Sequence, residues 1–318
     1  MSGEPNQDWT SAASTEAFRA KSYDVVVVVV SWNVREFLEK CLISLHRASE
    51  GLSIRVVVVD NASQDGTPDL VRSMFPNVEL ITNERNVGFA RANNIALRIY
   101  LAGAKYLLLL NPDTIVAPDA VRRMVEFMES DGGAGIVGCK VVKPDGSLDW
   151  PCKRSYITPD VLCYKAMGLD RLFPQNRRFG RYHLSFLDEN QIHEVDSVVG
   201  AFLMIRGACL REIGLLDESL FMFGEDMEWC YRSKERGWKV YYVPTVKIIH
   251  YKGQSTGKQS YRMIYHWYHS TWKVYQKRIG PRYPTIVNCA VWAGFHSMCV
   301  LSMTANLLRR RKRVPSRA

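Results

Sequence analysis

The sequence predicts an α/β fold around a mostly parallel, doubly wound sheet. Two observations lead to this prediction. Short, continuous apolar runs recur through the first half of the chain, and stretches with apolar residues at helical spacing lie between them. Continuous apolar runs are typical of strands buried on both faces of a parallel sheet. Their alternation with helices indicates a sheet that is covered by helices on both sides.

The first half of the chain supplies these elements in a regular order. The predicted strands are Val25–Val30, Val56–Val59, Val78–Ile81, Tyr106–Leu110 and Ile136–Val141. The predicted helices are Arg35–Arg47, Thr67–Phe75, Gly88–Leu101 and Pro118–Glu129. Each helix follows a strand, as expected of consecutive βαβ units.

The pattern changes after the turn signal Lys143-Pro144-Asp145-Gly146. Residues 150–195 are rich in aromatic and basic residues and show no regular period, so we expect an irregular insertion that contacts a second ligand. Regular elements then return. The predicted strands are Ser197–Ile205, Val240–Val243 and Val246–Ile249, and the predicted helices are Glu225–Arg236 and an aromatic, basic helix over 260–279.

The composition limits which cellular compartment and which binding partners are expected. The 42 Lys and Arg residues outnumber the 32 Asp and Glu residues, which gives a net charge of +10. No aromatic RNA-binding motif or helix-turn-helix pattern accompanies this charge, so nucleic acid is not an expected partner. Residues 1–22 lack apolar periodicity and the apolar centre of a signal peptide, and the eight cysteines form no Cys-x-x-Cys pair. We expect a loose tail, reduced cytosolic thiols and no zinc site.

The C-terminal segment suggests contact with a membrane. Tyr283–Leu308 contains no Asp, Glu, Lys or Arg, and it is longer than the ~20 residues that a membrane-spanning helix needs. The basic run 309–313 follows directly, as expected on the cytoplasmic, anionic-lipid side. Polar residues interrupt the segment, so the sequence leaves open whether 286–308 spans the membrane, lies on it or packs on the protein. The aromatic helix before it fits either lipid headgroups or ordinary packing.

Polar residues follow three of the predicted strands where each strand ends. Ser31-Trp32-Asn33 follows the first strand, Asp60-Asn61 the second and Asn111-Pro112-Asp113 the fourth. Ligands of parallel α/β sheets bind at the carboxyl ends of the strands, so these clusters predict a binding rim. Each cluster taken alone fits equally well a residue that caps the following helix.

Asn111 and Asp113 are candidates for a divalent-cation site. Two oxygen-bearing side chains separated by one residue can face a cation from one side and leave its other positions to phosphate. Mg²⁺ or Mn²⁺ held in this way would neutralise a departing diphosphate. An ordinary Asn-Pro-Asp turn explains the same residues. Asn86 and Gly88 precede a predicted helix, where the first is a candidate cap and the second lets backbone approach a ligand.

Seven segments in order resemble family 2 glycosyltransferases of the GT-A fold, especially the rhamnosyltransferase-like branch that builds bacterial surface polysaccharides. The matching segments are Ser-Trp-Asn after the first strand, 58–67, 86–94, 109–114, 200–206, 223–230 and 250–255. The resemblance covers roughly residues 23–275. It implies a nucleotide-sugar donor half over 23–145, an acceptor and catalytic half over 146–259, and a C-terminal extension over 260–318.

The resemblance also implies roles for individual residues. Asp60 binds the base or ribose, with Trp32 and Asn33 beside it. Asp113 and His250 hold a divalent metal on the diphosphate, although the family commonly has Asp where Asn111 stands. His250 taken alone would more often be a surface histidine. The remaining donor contacts would come from Asn61, Asn86, Gly88 and Asn111.

The Glu225-Asp226 pair is the candidate for the catalytic base. Transfer with inversion needs one base to take the proton of the acceptor hydroxyl, and the family uses the Asp of such a pair, which is Asp226 here; Glu225 is the second choice. Both carboxylates also fit the start of a helix as caps. Asp196, Glu228 and Trp229 are candidate acceptor contacts, although Trp229 also fits the core.

These residues predict an inverting, metal-dependent glycosyltransferase on the cytoplasmic face of the cell membrane. Its partners would be a nucleotide-diphospho-sugar donor, with dTDP-rhamnose preferred, and a glycan or polyprenyl-linked acceptor. A homodimer stays open. A sugar-nucleotide nucleotidyltransferase is one alternative, but its Gly-rich phosphate loop is absent after the first strand. A non-catalytic glycan-binding relative is the other.

Overall fold

The computed structural model describes residues 22–252 and 260–311. Almost all of the predicted N-terminal tail, residues 253–255 of the last matching segment, and the last two residues of the basic run lie outside these ranges. The described ranges contain every predicted strand and every candidate site residue.

The strands are placed close to their predicted positions. They are β1 Tyr23–Ser31, β2 Ile54–Asp60, β3 Glu79–Thr82, β4 Ala104–Leu110, β5 Thr114–Val116, β6 Ala134–Val142, β7 Lys153–Arg154, β8 His193–Glu194, β9 Ser197–Val198, β10 Phe202–Arg206 and β11 Lys239–His250. The main sheet has the order β3-β2-β1-β4-β10-β6-β11-β5, with β8 beside β11. The pairs β1/β2, β1/β4, β2/β3 and β6/β11 are parallel. The predicted α/β sheet is confirmed.

The second half of the sheet differs from the prediction in three respects. The predicted strand Ser197–Ile205 is two strands, because Val199–Ala201 leave the ladder between β9 and β10. Strand β10 runs antiparallel to both of its neighbours, β4 and β6. The two predicted strands after residue 239 are one strand, β11, with a bulge between Val243 and Lys247.

Helices cover both faces of the sheet and continue beyond it. They are α1 Arg35–Ala48, α2 Thr67–Met74, α3 Phe89–Tyr100, α4 Ala120–Ser130, α5 Pro159–Ala166, α6 Leu169–Leu172, α7 Gly207–Ile213, α8 Glu225–Glu235, α9 Ser260–Val274 and α10 Thr285–Arg311. The insertion over 150–195 is thus not wholly irregular, because it contains α5 and α6. One apolar core runs from β1 to β11 and joins the predicted donor and acceptor halves.

The C-terminal helices form a second, smaller core with the insertion. It joins Ile157 and Leu162 of the insertion, Met227 of α8, and Val291 and Phe295 of α10. One turn of π-helix, Tyr275–Ile279, follows α9. Within α10, Thr285–Leu308 is long and apolar enough to cross a membrane by length and composition.

Candidate active site

A cavity of about 370 Å³ opens at the carboxyl ends of β1 and β4. Eight of the predicted site residues line it: Trp32, Asn61, Asn86, Asn111, Asp113, Glu225, Asp226 and His250. Six predicted residues do not: Asn33, Asp60, Gly88, Asp196, Glu228 and Trp229. Strand ends and the start of α8 therefore converge as the polar residues predicted, while the predicted acceptor residues lie elsewhere.

Asp113 and His250 meet in this cavity from distant parts of the chain. Strand β11 pairs with β5 so that His250 is opposite Thr114, the residue after Asp113. The His250 Nε2 atom lies 3.2 Å from Asp113 Oδ1 and 3.3 Å from Asn111 Nδ2. Both charged side chains are buried. The predicted ligands thus form one cluster, with Asn111 beside them.

Asp149 completes the surroundings of His250, and sequence reasoning missed it. Its Oδ2 lies 3.8 Å from His250 Nδ1, too long for a hydrogen bond, and its Oδ1 accepts a 2.9 Å hydrogen bond from Lys252 Nζ. Burial opposes the protonated form of His250, but the Asp113 and Asp149 carboxylates raise its pKa to about 9. Burial likewise opposes ionisation of Asp149, but His250 and Lys252 lower its pKa to about 2.

The cluster offers suitable atoms for a divalent metal. Carboxylate and amide oxygens are ligands that suit Mg²⁺ and Mn²⁺, and an imidazole nitrogen is a common metal ligand. A metal at Nε2 would displace the proton that the raised pKa indicates. Within the described residues, no group of three or more His, Cys, Asp and Glu side chains is arranged to hold a metal ion. Asp113 and His250 therefore fit a metal whose other positions are filled by a ligand such as diphosphate.

Asp60 is buried, does not line the cavity, and has one carboxylate oxygen without a hydrogen-bond partner among the described residues. It pairs with Ser31 across β1 and β2, and its Oδ2 accepts a hydrogen bond from Ser63 N. Its buried Oδ1 has no hydrogen-bond partner among the described residues. Buried polar atoms are normally paired, so this oxygen is the one structural sign of a ligand at Asp60.

Asn33 and Gly88 both make close contacts with protein backbone in this structure. Asn33 has φ 53°, and its Oδ1 accepts a 2.7 Å hydrogen bond from Gln64 N, which ties the end of β1 to the loop after β2. Gly88 has φ 88°, and a Cβ atom there would lie 2.5 Å from the carbonyl oxygen of Phe221. The close approach that the structure shows at Gly88 is to protein backbone, and the predicted approach to a ligand stays a prediction.

The side chains of Asn61 and Asn86 hydrogen-bond to the backbone of Gly88. Asn86 Oδ1 accepts a 3.0 Å hydrogen bond from Gly88 N, so Asn86 orders the turn before α3 and does not cap its first residue. Asn61 Nδ2 donates to Gly88 O at 3.3 Å, and Asn61 Oδ1 accepts from Asn83 Nδ2 at 2.9 Å. Both Asn61 and Asn86 nevertheless line the cavity.

Arg154, which sequence reasoning also missed, holds Asp226. The Arg154 Nη2 atom donates to Asp226 Oδ2 at 2.7 Å and to Val198 O at 3.0 Å, and both charged side chains are buried. Asp226 Oδ2 also accepts from Gly200 N at 3.1 Å, and Oδ1 accepts from Met227 N at 2.7 Å. A carboxylate has about four lone-pair positions, so one position stays open toward the cavity.

Glu225 behaves differently from its neighbour. Burial, followed by the charge of Asp226, raises the pKa of Glu225 to about 8. Its Oε2 has no hydrogen-bond partner among the described residues. At neutral pH Glu225 is therefore mostly a neutral acid, whereas Asp226 faces the buried guanidinium.

The predicted acceptor residues have structural partners outside the cavity. Trp229 is fully buried, and its Nε1 donates to Gly214 O at 2.9 Å. Glu228 is buried and bound by Arg232 at 2.8 Å and Arg278 at 2.6 Å. Asp196 accepts from Tyr156 N at 3.3 Å. Trp229 therefore fits the core alternative, and none of the three residues lines the cavity.

Comparisons with known proteins agree with this architecture. The sequence profile of glycosyl transferase family 2 matches residues 26–206. The N-acetylglucosaminyl-diphospho-decaprenol L-rhamnosyltransferase of Mycobacterium tuberculosis is 29% identical over 244 residues, which are 73% of this chain and 77% of that protein. The dTDP-rhamnosyl transferase RfbF of Shigella flexneri is 27% identical and aligns over 64% of this chain and 62% of its own length.

A solved structure supports the fold independently. The mannosyltransferase of Pyrobaculum calidifontis, solved in complex with GDP-Man and Mn²⁺, superposes with a TM-score of 0.58. The two are 16% identical, and the match covers 95% of this chain and 82% of that one. Such low identity supports the GT-A type of fold alone.

Proposed function

The chain belongs to glycosyl transferase family 2, and we propose that it is an inverting, metal-dependent enzyme that moves a sugar from a nucleotide-diphospho-sugar to a hydroxyl group. Membership of this family makes it a glycosyltransferase, which displaces the nucleotidyltransferase and non-catalytic alternatives. The observation that carries the mechanistic proposal is the 3.2 Å approach of Asp113 and His250 in the cavity that Asp226 also lines.

Asp113 and His250 would hold the metal, with Asn111 supplying an amide oxygen or acting through water. A bound Mn²⁺ or Mg²⁺ supplies positive charge that stabilises the diphosphate leaving group. The Asn111 position carries one charge fewer than a second carboxylate would. Asp149 compensates in part, because it places another negative charge on the opposite side of the His250 ring.

Asp226 is the base in this proposal. Its carboxylate takes the proton of the acceptor hydroxyl while the hydroxyl oxygen attacks the anomeric carbon. The bond from that carbon to the diphosphate breaks, and its electron pair leaves with the diphosphate. Arg154 keeps Asp226 oriented, and the open lone-pair position of Asp226 receives the proton. Glu225, being mostly neutral, is better placed to donate a hydrogen bond than to accept a proton.

The donor base and ribose would lie toward Asp60. Its unpartnered Oδ1 supports a ligand contact, and Trp32 offers an aromatic face at the neighbouring strand end. The M. tuberculosis and S. flexneri relatives are a rhamnosyltransferase and a dTDP-rhamnosyl transferase. We infer from them that dTDP-rhamnose is the donor and that a glycan on a polyprenyl diphosphate is the acceptor. Such an acceptor places the enzyme at the cytoplasmic face of the membrane.

Thermal unfolding with nucleotides tests the donor site. We expect dTDP with Mn²⁺ to raise the Tm of the wild-type chain, because a ligand at 100 times its Kd adds about 2.7 kcal/mol to folding stability. Asp113→Ala should lose this increase, and Asp69→Ala, at an exposed position on α2, should keep it. Lack of stabilisation by dTDP, UDP or GDP, with and without Mn²⁺, would contradict the proposal.

A further inference from the structure

We propose that α10 lies flat on the lipid surface and does not cross the membrane, and that the α5–α6 turn, defined as residues 167–173, makes a second apolar contact with the same surface. This inference rests on the proposed function, because an enzyme that acts on a lipid-linked acceptor works at a membrane. It adds the orientation in which the cavity meets the lipid.

Helix α10 is packed along α9 as an antiparallel partner. Near its start, Asn288 Oδ1 accepts a 2.7 Å hydrogen bond from Tyr275, just beyond the end of α9. Further along, the Phe295 ring lies 6.1 Å from Trp272, and Ser302 Oγ lies 2.9 Å from the Tyr268 hydroxyl.

Residue numbers thus rise along α10 while they fall along α9. The contacts extend over most of the segment that is apolar enough to span. A helix fixed to the enzyme in this way cannot also cross a bilayer unless α9, with its basic and histidine side chains, goes with it. Charged residues in the bilayer centre are costly, so a position on the surface is favoured.

The other side of α10 is exposed and carries four large apolar side chains, with the small polar residues Ser297 and Thr304 between them. Ile286 is 80% exposed, and Val300 and Leu301 are 62% and 68% exposed. At about 100° per residue, these three residues and Leu308 fall within roughly one third of the helix circumference, opposite the buried Phe295. An apolar face opposite a packed one is what a helix in the membrane interface requires.

The α5–α6 turn also carries exposed apolar side chains. Leu172 is 70% exposed, Phe173 is 52% exposed, and α6 buries none of its side chains. Lys165, at the end of α5, lies with its Nζ 5.8 Å from the Trp267 ring, and Trp267 contacts Tyr268. Because Tyr268 is bonded to Ser302, this turn adjoins the second half of α10.

Charge favours lipid over a second copy of the chain as the occupant. Four exposed arginines surround the turn: Arg171, Arg177, Arg178 and Arg181. The basic run 309–313 begins within the last three residues of α10. Two copies would bring these like charges together, whereas the anionic cytoplasmic leaflet attracts them. Trp267 and Tyr182 lie beside Lys165 and also line the cavity. Binding to the membrane through this surface would therefore bring this side of the cavity to the lipid.

Vesicle binding by the full chain tests the proposed contact with lipid. We expect the wild type to co-sediment with phosphatidylcholine vesicles that contain phosphatidylglycerol, and Leu172→Glu/Phe173→Glu to bind them roughly ten-fold more weakly. Ile43→Glu/Met74→Glu, which adds the same charge at exposed apolar positions of α1 and α2, should bind as the wild type does. Equal loss in both double variants, or in neither, would overturn the second contact.

Three further measurements separate the remaining outcomes. Extraction of cell membranes with alkaline carbonate should release the wild-type chain, and retention in the pellet would overturn the flat orientation of α10. If the wild type does not bind vesicles but forms a dimer, and Leu172→Glu/Phe173→Glu dissociates that dimer, the surface binds a second copy of the chain.

Release of dTDP from dTDP-rhamnose with Mn²⁺ in vesicle-free buffer should be equal in the wild type and in Leu172→Glu/Phe173→Glu. If the wild type releases none, the proposed donor chemistry fails, whatever the vesicles show.

Discussion

The Arg154 guanidinium donates a 2.7 Å hydrogen bond to the Asp226 carboxylate across 72 residues of sequence. Arg154 belongs to β7 in the insertion, and Asp226 belongs to the first turn of α8. The insertion, which the sequence predicts to contact a second ligand, thus also positions the proposed base. Gly200, in the break between β9 and β10, donates to the same Asp226 oxygen, which gives that break a function.

Removal of the Arg154 charge should affect both stability and catalysis. Arg154→Met leaves Asp226 buried without its cation, and breaking a buried ion pair costs about 3–5 kcal/mol. We expect a loss of that order in the free energy of unfolding in urea, and a fall in kcat. Arg154→Lys should recover part of each, while Arg181→Met, at an exposed ion pair, should change stability by less than about 1 kcal/mol. Unchanged stability in Arg154→Met would contradict the role of the pair.

Glu225 should make stability fall as pH rises. Its pKa of about 8 in the folded chain exceeds the usual glutamate value of 4.5, so between these pH values the folded state binds the extra proton. The stabilisation is complete below about pH 4.5 and is lost as pH rises through 8, at up to about 1.4 kcal/mol per pH unit. Glu225→Gln should remove this slope and exceed the wild type in stability above pH 8. The exposed control Glu84→Gln should retain it; identical pH profiles for Glu225→Gln and the wild type would refute the assignment.

Asp149 should matter for metal affinity. Its carboxylate faces His250 Nδ1 at 3.8 Å and holds Lys252, and loss of a group that orients a ligand typically weakens metal binding about 10–100-fold. Asp149→Asn should raise the Mn²⁺ concentration for half-maximal donor hydrolysis by that factor. Asp145→Asn, in the exposed turn of the same loop, serves as the matched control. A Mn²⁺ requirement equal to that of the wild type in Asp149→Asn would argue against this role.

Alanine substitutions at Gly88 and Gly51 distinguish the effect of close packing from the effect of backbone strain. Both have positive φ, 88° and 82°, but a Cβ atom at Gly88 would meet Phe221 O at 2.5 Å, whereas nothing lies within 4 Å of one at Gly51. Gly88→Ala should therefore destabilise the fold by about 2–4 kcal/mol, and Gly51→Ala by about 1 kcal/mol. Urea unfolding measures both. Equal losses would show that the contact with Phe221 adds nothing.

The sequence predicts the first half of the fold well because the relevant signals are local. Continuous valine and leucine runs mark β1, β2 and β4, and polar residues directly after them mark the rim of the cavity. Asp113 taken alone fits a turn and a metal ligand equally well, and its contact with His250, 137 residues later, favours the ligand. The register between β5 and β11 that brings them together is not visible in either segment alone.

The missed residues owe their roles to contacts across long separations. Asp149 and Lys252 are 103 residues apart, and Asp149 lies seven residues beyond the end of β6, too far to be noticed as a residue at a strand end. Arg154 lies in a segment whose sequence shows only that it is basic and aromatic. Trp229 lies about one turn after Asp226 and fits both an acceptor contact and the core by sequence; its burial on α8 favours the core.

Sugar transfer by Asp226→Asn tests the central claim most directly. The assay uses dTDP-rhamnose, Mn²⁺ and the proposed polyprenyl-linked acceptor, with thermal stabilisation by dTDP as a check that the donor site is intact. We predict product formation by the wild type and a loss of about 10²–10⁴-fold in Asp226→Asn, with donor stabilisation retained. Transfer at the wild-type rate by Asp226→Asn would contradict the account of this site.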